Sequence, residues 1–338
     1  MEAAPTVAVE RSPRLRFMPE RGTLSVLEIV LLLACVILAI FLKSQNLLDV
    51  VIQSFLWAAL ALAWNIAGGY AGLISFGHAA FFGIGAYTST ILLTTYELTP
   101  WIGMWIGALL AGTFAAVLTL VCARLRGPFF ILSTLAAAEV VRIGALNWAA
   151  LTGGAEGLAI LPVPSAANMV FESKTTYAVL MLCYLVIVYI ITKIVEGSRY
   201  GLYLFAVRDD EDAASAAGVN GLFERTRAMA LSASLTGIGG SLFAQYFLYL
   251  DPTHVISPEL SFQFALLPAL GGLGTAIGPV LGAFAITPLS EMLRSYFGGG
   301  AAGLHLAIYG AVLVVVMLYF PSGIAGALQH LARRRSAP

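Results

Sequence analysis

The stretch RYGLYLFAVRDDEDAASAAG, residues 199–218, lies between two long apolar runs and carries much of the charge of the chain. Ten of the thirty-six charged residues fall within residues 196–227. Four consecutive acidic residues, Asp209–Asp212, begin an alanine-rich segment that Gly218 ends. Acidic residues in the first turn and a glycine after the last turn are typical of a short helix. We therefore predict a helix in a charged loop that a membrane protein presents to a soluble partner.

The composition outside this loop is that of a membrane protein. The 338 residues are 59% hydrophobic and 11% charged, whereas soluble domains carry about 25% charged residues. That shortfall leaves too little polar surface to cover a water-soluble globule. The net charge is zero, so no basic field indicates a nucleic-acid partner. Three cysteines lie far apart within apolar runs, and we interpret them as small core residues without a disulfide framework.

Ten apolar segments are candidate transmembrane helices. A helix that crosses a bilayer needs about 20 mostly apolar residues. The candidates are 24–42, 48–67, 72–93, 101–121, 129–149, 176–195, 226–248, 260–273, 276–296 and 303–320. The eighth is short and rich in glycine, which leaves open whether it spans or is re-entrant. The prediction is an all-α polytopic membrane protein with about ten transmembrane helices.

Basic residues predict the orientation of these spans, because lysine and arginine prefer the cytoplasmic side. With ten spans, all four basic clusters fall on one side: the N-terminal arginines, Arg124 with Arg126, the charged loop, and Arg333–Arg335. Both termini are therefore predicted to be cytoplasmic. The external connections would be 43–47, 94–100, 150–175, 249–259 and 297–302.

Polar side chains within the spans are candidates for a pathway or gating role, and so are the glycines that recur at every fourth position from Gly274 to Gly282, a spacing that predicts one helical face. Intramembrane ionisable groups favour the bundle interior or a water-filled cavity, and glycines permit close helix contact or a break in a helix. Glu139 and Arg142 are spaced to neutralise each other. For every candidate the alternative is a structural role in helix packing. The candidates are Asn65, Ser75, His78, Glu139, Arg142, Gly274 and Gly278.

Motifs of covalent chemistry do not occur in this sequence. It contains no HExxH, no GxSxG and no GxxxxGK[ST] loop, which are the motifs of zinc proteases, serine hydrolases and P-loop ATPases. His78 has no neighbouring ligand residues in the sequence for a zinc site. We therefore expect a protein that is not an enzyme and that binds no cofactor or metal itself.

Five segments in order resemble LivM-type permeases of branched-chain amino acid ABC importers. They are distributed along the chain from the second span onward. The segments are NIAGGYAGLISFGHAAFFGIGAY at 65–87, RLRGPFFILSTLAAAEVVRIGALNW at 124–148, GSRYGLYLFAVRDDEDAASAAGVN at 197–220, LPALGGLGTAIGPVLGA at 267–283 and FPSGIAG at 320–326. One departure is Leu202, where the family usually has arginine.

The resemblance implies a type II ABC importer-like permease fold in the bacterial inner membrane. It divides the chain into a cytoplasmic tail at 1–23, a multi-pass permease domain at 24–320 that contains the coupling loop 196–225, and a cytoplasmic tail at 321–338. The implied partners are a homologous LivH-type permease subunit, two ABC ATP-binding subunits that use ATP and Mg, a periplasmic substrate-binding protein and membrane lipid. Residues implied to couple to the ATPase are Arg208, Asp209, Asp210, Glu211, Ala213, Ala214 and Gly218.

The implied cargo is a branched-chain or related amino acid, moved without covalent chemistry. The same architecture carrying urea, amides or small organic acids is the alternative within this class. An ion-coupled secondary transporter is an alternative of another class, and it would be expected to carry titratable residues near mid-membrane. A membrane scaffold without a continuous polar pathway is a third alternative.

Overall fold

The computed structural model describes residues 44–125, 127–161, 164–297, 310 and 323–326. The predicted span 24–42 and the N-terminal tail lie outside the described residues, as do nearly all of span 303–320 and the C-terminal tail. The described part is helical except for one pair of two-residue strands and the connecting segments.

Twelve α-helices occur within the described residues from 44 to 297. They are α1 Gln45–Asn65, α2 His78–Tyr96, α3 Pro100–Val121, α4 Pro128–Asn147, α5 Ala149–Thr152, α6 Lys174–Gly197, α7 Arg199–Asp209, α8 Glu211–Ala216, α9 Gly221–Phe247, α10 Pro252–Val255, α11 Pro258–Gly271 and α12 Ile277–Phe297. A π-helical turn, Ile66–Tyr70, extends α1, and a 3₁₀ turn follows α5 at Gly154–Glu156. The strands β1 Leu158–Ala159 and β2 Tyr249–Leu250 pair antiparallel.

Eight of these helices correspond to eight of the predicted spans. By length and composition, four are apolar enough to cross a membrane: α1 with its π-helical turn, α3, α4 and α6. The total of about ten spans stays a prediction. Helix α11 has 14 residues, which at 1.5 Å per residue gives roughly 21 Å, less than the ~30 Å of a hydrocarbon core.

The predicted start of the third span is wrong. The segment 72–77 is not helical, and α2 begins at His78. Gly72 has a φ of +70°, a conformation that ends a right-handed helix. The Trp64 indole donates to the Ser75 carbonyl over 2.9 Å, which holds the non-helical segment against the end of α1. We refer to residues 66–77 as the junction.

Helix α1 is the centre of the bundle and α4 lies at its edge. Side chains of α1 such as Phe55, Leu60 and Trp64 are at most 1% exposed, and α6, α9, α11 and α12 all pack against this helix. A helix that is apolar on every side belongs in an interior. Helix α4 is equally apolar, but only 17% of its most apolar 18-residue stretch is buried. Its outer face is therefore not covered by the described residues 44–297.

Helices α2, α3 and α9 approach closely through glycines. A Cβ atom at Gly85 would lie 2.0 Å from the carbonyl oxygen of Gly237, and one at Gly240 would lie 2.0 Å from that of Phe82. The Ser241 hydroxyl donates to the Gly85 carbonyl over 2.9 Å. In lipid, such contacts between small residues replace much of the hydrophobic drive for association. The three helices thus form one tightly packed unit.

The connecting segments collect at the two ends of the long helices. At one end, Asp49 of α1 pairs with Lys174 of α6 at 2.6 Å, and β1 pairs with β2. At the other end, the junction, the charged loop and the segment 272–276 meet. We call 272–276, which joins α11 to α12, the hairpin turn. This grouping agrees with the predicted alternation of sides, while the assignment of one end to the cytoplasm stays a prediction.

Candidate functional site

The predicted helix in the charged loop is confirmed as α8. Asp210 is its N-cap, since its side chain accepts a hydrogen bond from the Ala213 amide over 2.9 Å. Gly218 has a φ of +87°, and the Val219 amide returns to the Ala214 carbonyl over 3.0 Å. Both ends of this six-residue helix are therefore specified by local sequence.

The exposed surface of α8 is acidic and made of small side chains. Asp209, just before the helix, has a side chain that is 70% exposed, and Asp212 is also exposed. Of the coupling residues implied by the family resemblance, Asp209, Asp210, Ala213 and Gly218 lie on this surface. Ala214 is buried beneath it.

Other charges of the loop are used within the molecule. Glu211 pairs with Arg225 at 2.8 Å and so ties α8 to the first turn of α9. Arg227 pairs with Glu224 and lies 4.6 Å from the ring centre of Tyr200. The charge left for a partner is consequently less than the loop sequence indicates, although the Arg227 side chain is still 52% exposed. The sequence gives no local signal that separates these internal charges from the exposed ones.

Arg208 is also drawn into internal contacts. Its Nη1 donates to the Gly69 carbonyl over 2.9 Å, although the two residues are 139 positions apart. Its Nε and Nη2 both lie 3.1 Å from Asp209 Oδ1. The side chain is 32% exposed, less than half the value of Asp209. Arg208 therefore connects the charged loop to the junction.

Asn65 fastens the hairpin turn to the end of α1. Its Nδ2 donates to the Thr275 carbonyl over 2.9 Å, and its Oδ1 accepts from the Gly274 amide over 3.0 Å. Asn65 is fully buried, so these bonds satisfy polar groups that water does not reach. The structure thus brings together two of the candidate residues, Asn65 and Gly274.

Gly274 lies in the turn and not on a helix, because α12 begins only at Ile277. Gly278 is in the first turn of α12, and its amide donates to the Thr275 hydroxyl over 3.1 Å. A Cβ atom at Gly278 would lie 2.2 Å from the Gly272 carbonyl oxygen. Glycine at this position permits the tight reversal between α11 and α12.

Ser75 and His78 lie beside this assembly, at the start of α2. The Ser75 hydroxyl accepts from the Gly77 amide over 3.1 Å. His78 Nε2 lies 2.9 Å from the Ser232 hydroxyl, which itself lies 2.7 Å from the Ala63 carbonyl. A carbonyl only accepts, so Ser232 donates to Ala63 and His78 Nε2 donates to Ser232. This fully buried chain joins α1, α2 and α9.

Glu139 and Arg142 lie apart from the other candidates, on α4. They form the pair that their spacing predicts, with Nε–Oε2 at 2.8 Å and Nη2–Oε1 at 2.5 Å. Their side chains are 37% and 24% exposed. Within the described residues, no three histidine, cysteine, aspartate or glutamate side chains are grouped as metal ligands.

Comparison with known proteins identifies relatives over most of the chain. Residues 46–317 match a family described as "Branched-chain amino acid transport system / permease component". The high-affinity branched-chain amino acid transport system permease protein LivM of Escherichia coli is 26% identical over 320 residues, which cover 87% of this chain and 74% of that protein. LivH of Salmonella typhimurium, from a transport system of the same description, is 23% identical over 83% of this chain and 95% of that protein.

A third relative is the nucleoside ABC transporter permease protein NupC of Lactococcus lactis. It is 24% identical over 59% of this chain and 68% of that protein. No solved structure matches the chain.

Proposed function

The chain belongs to the family of branched-chain amino acid transport system permease components, and we propose that it forms half of the translocation pathway of an ATP-driven importer for branched-chain or related amino acids. It is a multi-pass membrane protein whose role is transport and not catalysis. We place it in the bacterial inner membrane. The observation that carries this proposal is the family match over 46–317, joined to an exposed acidic helix in the charged loop.

The proposed partners are a LivH-type permease, two ABC ATP-binding subunits that use ATP and Mg, and a periplasmic substrate-binding protein. Support for a pair of related permeases comes from the relatives, because LivM and LivH are both named for a transport system of Salmonella typhimurium and this chain is similar to each. The outer face of α4, which no described residue of this chain covers, is proposed as the contact with such a second permease or with lipid.

The surface around α8 is the proposed contact with an ATP-binding subunit. Exposed acids would form charge-assisted hydrogen bonds with basic residues of that subunit, and small side chains such as Ala213 would permit a close approach. Leu202, Tyr203 and Phe223 are exposed apolar residues of the same loop. Leu202 stands where the resemblance leads us to expect arginine, so at this position the contact would rely on apolar burial.

In the proposed mechanism, ATP binding closes the two ATP-binding subunits and displaces α8. The displacement tilts the spans and opens the pathway to one side at a time. This chain makes and breaks no covalent bond in the cycle.

The proposal is tested by uptake into vesicles that contain this chain with its permease partner, ATP-binding subunits and binding protein. Labelled leucine is the first substrate, and unlabelled valine, urea, a simple amide, a small organic acid and a nucleoside are competitors. We expect competition by valine and not by the others. Competition by a nucleoside alone would replace the amino acid assignment with the substrate class named for the Lactococcus lactis relative.

A further inference from the structure

Two glycines leave room for the Arg208 side chain, and a third accepts its hydrogen bond. A Cβ atom at Gly72 would lie 2.7 Å from Arg208 Cγ, and one at Gly274 would lie 2.9 Å from Arg208 Nη1. Gly69 contributes the carbonyl oxygen that accepts from Nη1. Gly72 and Gly274 also have φ values of +70° and +75°, so any other residue there would be strained as well as crowded.

Aromatic and acidic groups hold the rest of the guanidinium. Its Cζ lies 5.1 Å from the ring centre of Phe205, on the same helix α7. Phe205 in turn meets Tyr70 of the junction edge-to-face at 5.1 Å. Asp209 occupies the opposite edge of the guanidinium. The side chain is thus fixed in orientation between the charged loop and the junction.

Beyond Arg208, the contacts continue into the membrane-spanning part. Asn65 binds the hairpin turn through two hydrogen bonds, one from the Gly274 amide and one to the Thr275 carbonyl. A Cβ atom at Gly69 would lie 2.7 Å from the Gly274 amide nitrogen. Arg208, the junction and the hairpin turn are therefore in close van der Waals and hydrogen-bond contact. A displacement of one must move the others.

We propose that Arg208 is a positioning residue that transmits displacement of the charged loop to the junction and the hairpin turn. This inference rests on the proposed function, since the displacement is the one an ATP-binding subunit would impose on α8. Arg208 acts through the Gly69 carbonyl and through its contact with Gly274. Arg208 contacts the chain at two non-helical segments, the junction and the hairpin turn. The motion therefore reaches the chain where the helices α2 and α12 begin.

Lysine could not replace arginine in this position. The guanidinium donates in two directions at once, to Gly69 and to Asp209, and its Cζ lies over the Phe205 ring. An ammonium group is a compact point charge without a planar face. Arg208→Lys keeps the charge of the loop but breaks this arrangement, which separates a positioning role from a general electrostatic one.

The test measures ATP hydrolysis and labelled leucine uptake in the same vesicles with Arg208→Lys. Arg199→Lys, at the exposed start of α7, is the matched control. We expect Arg208→Lys to retain its ATP-binding subunits and to hydrolyse ATP within about twofold of native. Uptake per ATP should fall at least tenfold, whereas Arg199→Lys should leave it unchanged. An unchanged ratio in Arg208→Lys overturns the proposal, and so does loss of the ATP-binding subunits, because that loss indicates a docking role.

A second measurement needs neither solute nor partner. Spin labels are placed at Ser215→Cys on α8 and Leu273→Cys on the hairpin turn, with native cysteines replaced, and their distance distribution is recorded for the purified chain. We expect one narrow distribution in the native background, a broader one with Arg208→Lys, and a broader one also with the milder Phe205→Leu. Equal widths in all three overturn the positioning role. If the native complex imports no solute while the widths differ as expected, the proposed function fails and the linkage stands.

Discussion

Asn65 illustrates how much a single side chain contributes to the broken part of this fold. It is the last residue of α1 and satisfies both an amide and a carbonyl of a turn more than 200 residues away. The sequence identified Asn65 and Gly274 separately, the first as a polar residue within an apolar span and the second as one of a series of regularly spaced glycines. Their contact could not be predicted, because it depends on how α11 and α12 return to α1.

Asn65→Ala is predicted to destabilise the purified protein. The change leaves the Gly274 amide and the Thr275 carbonyl without their partner in a buried site, at a cost of about 1–3 kcal/mol for each unpaired group. Thermal unfolding in detergent should show a clearly lower midpoint. Asn147→Ala, which removes an exposed amide bonded only within its own helix, is the control and should change the free energy of unfolding by about 0.5 kcal/mol or less. An equal effect of the two changes would contradict the role of Asn65 in holding the hairpin turn against α1.

The Glu139–Arg142 pair is predicted to behave as a unit. Neutralising one partner leaves the other as an uncompensated charge on an apolar helix, which is unfavourable within a membrane. Glu139→Gln alone should reduce the yield of folded protein in membranes more than Glu139→Gln combined with Arg142→Gln. The measurement is the fraction that remains monodisperse after extraction. A double variant less stable than either single variant would show that the two residues act independently.

At the scale of elements, α8 was predictable and its surroundings were not. Its acidic start and its terminal glycine are local signals, and the structure has the helix where they place it. The predicted start of the third span is wrong because hydropathy does not distinguish a helix from an apolar turn. Gly274 was assigned to a helical face for a related reason, since the four-residue spacing of glycines occurs in a turn followed by a helix as readily as in one helix. No sequence signal distinguishes Arg208 from the charged residues beside it.

The exposed face of α8 is predicted to bind the ATP-binding subunits. Asp212→Asn removes an exposed charge, and Ala213→Trp places a bulky ring on the same face. Each should weaken retention of the subunits at least tenfold, and the effect of Asp212→Asn should shrink at high salt, where charge contacts are screened. Glu172→Gln, exposed at the opposite end of the helices, is the control. Retention at the native level in both variants would assign docking to another surface.

At the scale of the whole molecule, the connecting segments fall into two groups at opposite ends of α1 and α6. The charged loop, the junction and the hairpin turn form one group, and residues around β1, β2 and Lys174 form the other. Counting spans predicted this division, because hydropathy and basic residues act through the bilayer and need no tertiary information. The contacts inside each group depend on tertiary packing and could not be predicted from the sequence.

The predicted sidedness is open to direct labelling. With native cysteines replaced, Glu172→Cys should react with a membrane-impermeant maleimide in spheroplasts, and Asp212→Cys should react only after permeabilisation. The reason is that 150–175 is predicted to be external and 196–225 cytoplasmic. The opposite pattern would invert the topology, and labelling of both sites in sealed spheroplasts would contradict the number of spans between them.

The most direct test of the transport assignment is the energy source of uptake. Vesicles containing the native chain and its partners are loaded with ATP and Mg, or instead given a proton or sodium gradient without ATP, and labelled leucine uptake is compared with that of vesicles whose ATP-binding subunits cannot hydrolyse ATP. We predict uptake with ATP alone and none with either gradient. Uptake driven by a gradient in the absence of ATP would contradict the account and assign the chain to ion-coupled transport.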